Sequence, residues 1–120
     1  MPGVMSSNRL TSFMTAPALY RVVTSADGAV SPSSPPSISL INAEDSPRGL
    51  NELVLFVSPT GTCTLQVWAI VGASWYFVKE VTLTSTRPEA VVVKDLPACK
   101  WGVVVTVASA AVSITQMRSA

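Results

Sequence analysis

The residues able to do chemistry are few and far apart. Cys63 and Cys99 are the only thiols, and Glu44 and Asp45 are the only adjacent carboxylates. The chain has no histidine, which removes the commonest general base, proton shuttle and metal ligand. The two cysteines have neither the spacing of a zinc site nor that of a CxxC redox pair. Two buried free thiols are the favoured reading, with one disulfide between them as the alternative, and no neighbouring imidazole is present to make either a nucleophile. Glu44 and Asp45 could hold calcium together with loop carbonyls, but adjacent acids in "NAEDSPRG" fit solvated turn residues better. Trp75, Tyr76 and Trp101 could stack on a sugar ring. Sugar sites usually add Asp, Asn, Gln or Arg donors, whereas Lys79 and Lys100 are the nearest polar groups here, so core aromatics are the stronger reading. No glycine-rich loop links a strand to a helix to cradle phosphate. The expectation is a protein that is not an enzyme and needs no cofactor or metal.

Charge and composition point to another occupation. Eight basic and seven acidic side chains leave a formal charge of +1, and no basic run is present to follow a phosphate backbone, so nucleic acid is not an expected partner. The chain is 48% hydrophobic and 12% charged, about half the charged fraction of roughly 25% usual in soluble domains. Something other than water has to cover part of it. Residues 53–78 and 101–117 carry no charge, yet Pro59, Gly61 and Gly72 interrupt the first, and Thr106, Ser109, Ser113 and Thr115 the second. Both read as buried strands rather than membrane spans. The opening "MPGVMSSNRLTSFMTAPALY" lacks the basic patch and apolar run of a secretory signal.

One domain is expected from 120 residues. Residues 1–36 are rich in Ser, Thr and Pro and read as an N-terminal arm and extended connection holding one short strand, "ALYRVVT"; within them "SSNRLTSFMTA" is the only stretch able to form a helical turn or two. From Ser37 to the end, strand-like runs alternate with turn signals: "SISLINA", "NELVLFVS", "CTLQVWAIV", "WYFVKEVTLTS", "EAVVVKDL", "KWGVVVTVAS" and "AVSITQM". Eighteen valines and eleven threonines favour strands throughout. The pattern predicts an all-β fold, an antiparallel β-sandwich of jelly-roll type with seven or eight short strands over 37–120 and the extended arm before it.

The hairpin "TLQVWAIVGASWYFVKEVTL" sharpens the problem of coverage. A three-residue "GAS" loop would place Val71, Ala69, Val67 and Leu65 opposite Trp75, Phe77, Lys79 and Val81 on an inner face. Leu53, Leu55, Val57, Leu65, Val67, Phe77 and Val81 then form the expected core. The outer face would pair Ile70 with Tyr76, Trp68 with Val78, Gln66 with Glu80 and Thr64 with Thr82. A two-residue "GA" turn would shift the second strand by one and mix the two sets. Under the preferred register Trp68, Ile70, Tyr76 and Val78 form an outward apolar cluster. Each such side chain gains roughly 1.5–3 kcal/mol on full burial, so a cover is expected. Either the arm supplies it, through Leu10, Phe13, Met14 or Leu19, or a partner does. The runs "VVV" at 91–93 and "GVVVTVA" at 102–108 pose the same question, because consecutive valines cannot all point to one side.

A Ser/Pro-rich arm ahead of an all-strand body with "LQVWAIVGASWYFVKEVTL" and a valine-rich ending resembles the small β-sandwich virion proteins of tailed bacteriophages. These include capsid decoration or cement proteins and neck or tail components. The resemblance implies a structural protein docked in many copies on the virion, a homo-oligomer contacting the major capsid protein or neck and tail subunits as well as copies of itself. It also implies assembly in a bacterial cytoplasm and no membrane partner. The arm and the cluster of Trp68, Ile70, Tyr76 and Val78 would make the contacts. A carbohydrate-binding sandwich module is the alternative.

Overall fold

The computed structural model describes residues 16–31, 35–42, 50–84, 86–97 and 99–119. Among them every regular element is a strand: β1 (Ala18–Val23), β2 (Ile41–Asn42), β3 (Leu50–Pro59), β4 (Cys63–Val71), β5 (Ser74–Leu83), β6 (Glu89–Pro97), β7 (Lys100–Ala108) and β8 (Val112–Ser119). No helix among the described residues is long and apolar enough to cross a membrane. The local cause is alternation. In β4, Cys63, Leu65, Val67 and Ala69 are buried while Thr64, Gln66 and Trp68 are half-buried, the period of two that gives a strand one inner face. "SISLINA" fares differently, since among its described residues only Ile41 and Asn42 join a sheet.

All pairings are antiparallel, and they nest. β1 pairs with β8, β2 with β7, β3 with β6 and β4 with β5, as in one long hairpin whose tip is β4–β5. The hairpin rolls up so that β8 also lies beside β3, and β7 beside β4. Two four-stranded sheets result, with orders β1-β8-β3-β6 and β2-β7-β4-β5. This is the jelly-roll arrangement, a sandwich as the sequence pattern predicts. The short strand read before the Pro-rich connection is an edge strand of the first sheet.

The inner faces meet in one core. Leu53, Leu55, Val57, Val91, Val93, Val112 and Ile114 come from the first sheet; Cys63, Leu65, Val67, Leu83, Trp101, Val103 and Val105 come from the second. The expected core residues Leu53, Leu55, Val57, Leu65 and Val67 lie in it, and Val81 packs against it. Phe77 does not: it is 54% exposed. Cys63 and Cys99 are buried and free, and burial raises the Cys63 thiol above its ordinary range.

The two open sides of the sandwich are closed by polar side chains. Beyond the two-residue β2, the edge of β7 would present unpaired backbone groups. Asp27 takes them: its N–H donates to the Val105 carbonyl at 2.7 Å, and its Oδ2 accepts the Val105 N–H at 2.8 Å. Arg21, on β1, donates to the Val103 carbonyl at 3.2 Å and holds Asp27 Oδ1 at 2.5 Å. The Tyr20 hydroxyl donates to the Ser39 carbonyl, and burial raises its pKa above the usual phenol value. On the other side, Lys79 faces inward at the edge of the sandwich, and its Nζ donates to the Val92 carbonyl of β6 at 3.2 Å. An inward lysine on an edge strand blocks further strands from adding.

Asp27→Ala would leave the Val105 N–H and the partly buried Arg21 guanidinium without Asp27's carboxylate. The expected loss is about 2–4 kcal/mol of unfolding free energy, with Asp27→Asn losing less, and urea denaturation monitored by tryptophan fluorescence measures both.

Candidate functional site

The 64–83 hairpin turns on two residues rather than three. Val71 pairs with Ser74 across Gly72 and Ala73, and Gly72 has φ of 61°, the positive value a two-residue hairpin turn requires. The one-residue shift this imposes is absorbed between Val67 and Trp68, where Val78 is the extra residue of a β-bulge. Beyond the bulge the expected pairs hold: Val67 with Lys79, Leu65 with Val81, and Thr64 with Thr82. On the outer face, Thr64 and Thr82 share a hydroxyl hydrogen bond of 3.0 Å and Gln66 Nε2 donates to Glu80 at 2.7 Å. Before the bulge the pairs are Ile70 with Trp75, Ala69 with Tyr76 and Trp68 with Phe77.

The outer cluster is therefore Trp68, Ile70, Trp75 and Phe77. Tyr76 lies on the side of Ala69 near the tip and is 56% exposed, and Val78 packs against the core; neither belongs to the cluster the three-residue loop predicted. Phe77 meets Trp68 edge to face at 5.4 Å between centroids, and Trp75 leans on Trp68 at 6.4 Å and 56°. Such pairs add about 0.5–1.5 kcal/mol beyond their buried area. Trp68 Nε1 donates to Gln66 Oε1 at 3.0 Å, which anchors the indole to the polar half of the same face.

This wall is partly covered, and by its own chain. After Asp27 the Pro-rich connection crosses the outer face of the second sheet. Val30 and Ser31 join Trp68, Ala73, Ser74 and Trp75 around a cleft of about 230 Å³. Ile38 and the Trp75 ring converge over Gly102: a Cβ built there would lie 3.3 Å from the indole and 3.4 Å from Ile38 Cδ1. Val104 points outward by register, opposite Gln66, and is nonetheless fully buried. The residues named as a cover from the arm are placed elsewhere or not at all. Leu10, Phe13 and Met14 lie outside the described residues, as do Glu44, Asp45 and all but the last residue of "SSNRLTSFMTA". Leu19 sits on the outer face of the first sheet.

That opposite face is also partly open, though Val54 on it is buried. Its rows run Leu19, Thr115, Phe56, Ala90, then Met117, Val54, Val92, then Val22, Ser113, Ser58. These three rows carry no charge, and the next one brings in Glu52, opposite Ser119. Leu19 is 63% exposed, Val22 56%, Phe56 38% and Val92 38%. Sequence reasoning flagged the valine run at 91–93 but did not extend it to Phe56, which alternates with Leu55 and Val57 and faces out beside it.

Trp75, Tyr76 and Trp101 do not make a shared platform. Trp101 is fully buried in the core, and its Nε1 has no hydrogen-bond partner among the described residues. Trp75 and Tyr76 point to opposite sides of β5. Among the described residues no group of three or more His, Cys, Asp or Glu side chains converges to hold a metal ion. No protein family, curated protein or solved structure matches the chain.

Gly102→Val would drive a branched side chain into the space shared by Trp75 and Ile38. We expect a cost of about 1–3 kcal/mol and a red-shifted tryptophan emission as Trp75 moves toward water, read by thermal melting and fluorescence of the folded variant.

Proposed function

We propose that the chain is a structural protein of a tailed-bacteriophage virion, docking in many copies as a capsid decoration or cement protein; a neck or tail component is the nearest variant of the same reading. The observation that carries it is the apolar surface left on both sheets of a small sandwich, with Leu19, Val22, Phe56 and Val92 exposed on the first and Phe77 and Val107 on the second. Exposed apolar faces of this kind are association surfaces. Jelly rolls are also a common scaffold of capsid domains. The mechanism is passive clamping. A repeated lattice turns modest single contacts into firm attachment, because once one copy is held its neighbours bind at high effective concentration. Assembly would take place in the bacterial cytoplasm, where free thiols such as Cys63 and Cys99 stay reduced.

The reading is tested on particles. Density-gradient-purified virions from a culture expressing the chain are expected to contain it at a copy number that is a multiple of the head or tail symmetry, measured by quantitative peptide mass spectrometry. Particles that lack it overturn the proposal.

A carbohydrate-binding module is the second reading, favoured by the cleft between Trp68 and Trp75, whose indoles offer apolar faces beside Ser31 and Ser74. On this reading a glycan array gives a signal with the intact protein that Trp75→Ala abolishes while the melting curve stays cooperative. A blank array removes this reading and leaves the first untouched.

A further inference from the structure

We infer that the outer face of the β4–β5 ribbon, from Phe77 to Thr82, is a shallow sugar site built for a neutral pyranose chain with equatorial ring hydroxyls. The inference takes its ligand class from the carbohydrate reading above, on which it rests, and assigns it to a different surface, away from the cleft at Val30 and Ser31.

Such a site needs an aromatic ring open to the apolar face of a sugar, with polar groups beside it to take the hydroxyls. Phe77 is 54% exposed. Trp68 meets it edge to face, at 75° between planes, which props the ring and leaves much of it to solvent. In the sequence the nearest polar groups were Lys79 and Lys100. Register supplies better ones: Gln66 and Glu80 stand in the next outward row, and Thr64 and Thr82 in the row after it. Lys79 turns away, inward to the Val92 carbonyl.

The polar groups are also held in place before any ligand arrives, which spares the cost of ordering them on binding. Trp68 Nε1 donates to Gln66 Oε1 at 3.0 Å, and Gln66 Nε2 donates to Glu80 Oε2 at 2.7 Å. The two threonine hydroxyls share a bond of 3.0 Å. The Glu80 carboxylate and the hydroxyls keep lone pairs that can accept from a sugar.

Size and charge narrow the ligand. Outward rows along a strand are about 6.6 Å apart, so three rows span about 13 Å, the length of a disaccharide. Equatorial hydroxyls lie along the rim of the ring, within reach of the neighbouring rows, and leave the ring faces apolar for Phe77. Glu80 is the only charge in the three rows, so an anionic sugar meets repulsion. Jelly rolls also serve as lectin scaffolds.

The test is a titration of the isotope-labelled full chain with cellobiose, followed by amide chemical shifts, with the corresponding uronic acid as comparison. Saturating shifts are expected at Phe77, Glu80 and Thr82, with none at Ser31 or Ser74, and weaker binding of the uronic acid. Phe77→Ala and Glu80→Ala, each still melting cooperatively, should raise the dissociation constant by about tenfold or more. Shifts confined to Ser31 and Ser74 overturn the inference and favour the cleft instead. The absence of any saturable shift overturns it too, and the glycan array still decides the carbohydrate reading. A dissociation constant that both variants leave unchanged, or equal binding of the uronic acid, also counts against this site.

Discussion

Two stacked sheets have four faces, and stacking hides only two. That constraint governs the rest of this structure, because nearly every long strand is apolar on more than its inner side. The pattern follows from valine runs: in "VVV" at 91–93 and at 103–105, the flanking residues enter the core and the middle one has to leave it. The molecule treats the two surplus faces differently. Over the second sheet the chain lays its own Pro-rich connection, and Val104 disappears from solvent. Over the first sheet Val92 remains 38% exposed. The same motif has opposite environments because Val104 lies on the inner strand β7 and Val92 on the edge strand β6.

The strands and their turns were readable from alternation, from valine and threonine content, and from Gly, Pro and Ser between the runs. Six of the seven runs read after Ser37 became strands within a residue or two of their expected ends. Register was harder. Both expected hairpin geometries are present, one on each side of the bulge at Val78, and no local signal marks a bulge in "WYFVKEV". Its energetic reason lies elsewhere in the fold. Gly72 favours the short turn, while Leu65 and Cys63 need Val81 and Leu83 inward. One extra residue satisfies both. The cost fell on the site reading, where Trp75 and Phe77 take the outward places assigned to Tyr76 and Val78.

The coverage of the hairpin was also legible only as a question. Sequence offered Leu10, Phe13, Met14 or Leu19 of the arm, or a partner, and the cover shown comes instead from Val30, Ser31 and Ile38, around prolines that suggested mere spacing. Pro removes backbone donors, so such a segment can cross an apolar face without leaving N–H groups stranded. The glycine at 102 makes room for it, and the Asp27–Arg21 pair fixes where the crossing begins. A polar pair thus sets the position of an apolar cover.

The nesting of the strands bears on how the protein is made. β4 and β5 can meet as soon as both have left the ribosome, but β1 must wait for β8, nearly a hundred residues later. Until then the nascent chain carries an unpaired ribbon of valine-rich segments whose partners have not been translated. Long-range pairing of this kind is slow, so a cell making this chain would depend on chaperones, or on modest synthesis rates, to bring it safely to closure.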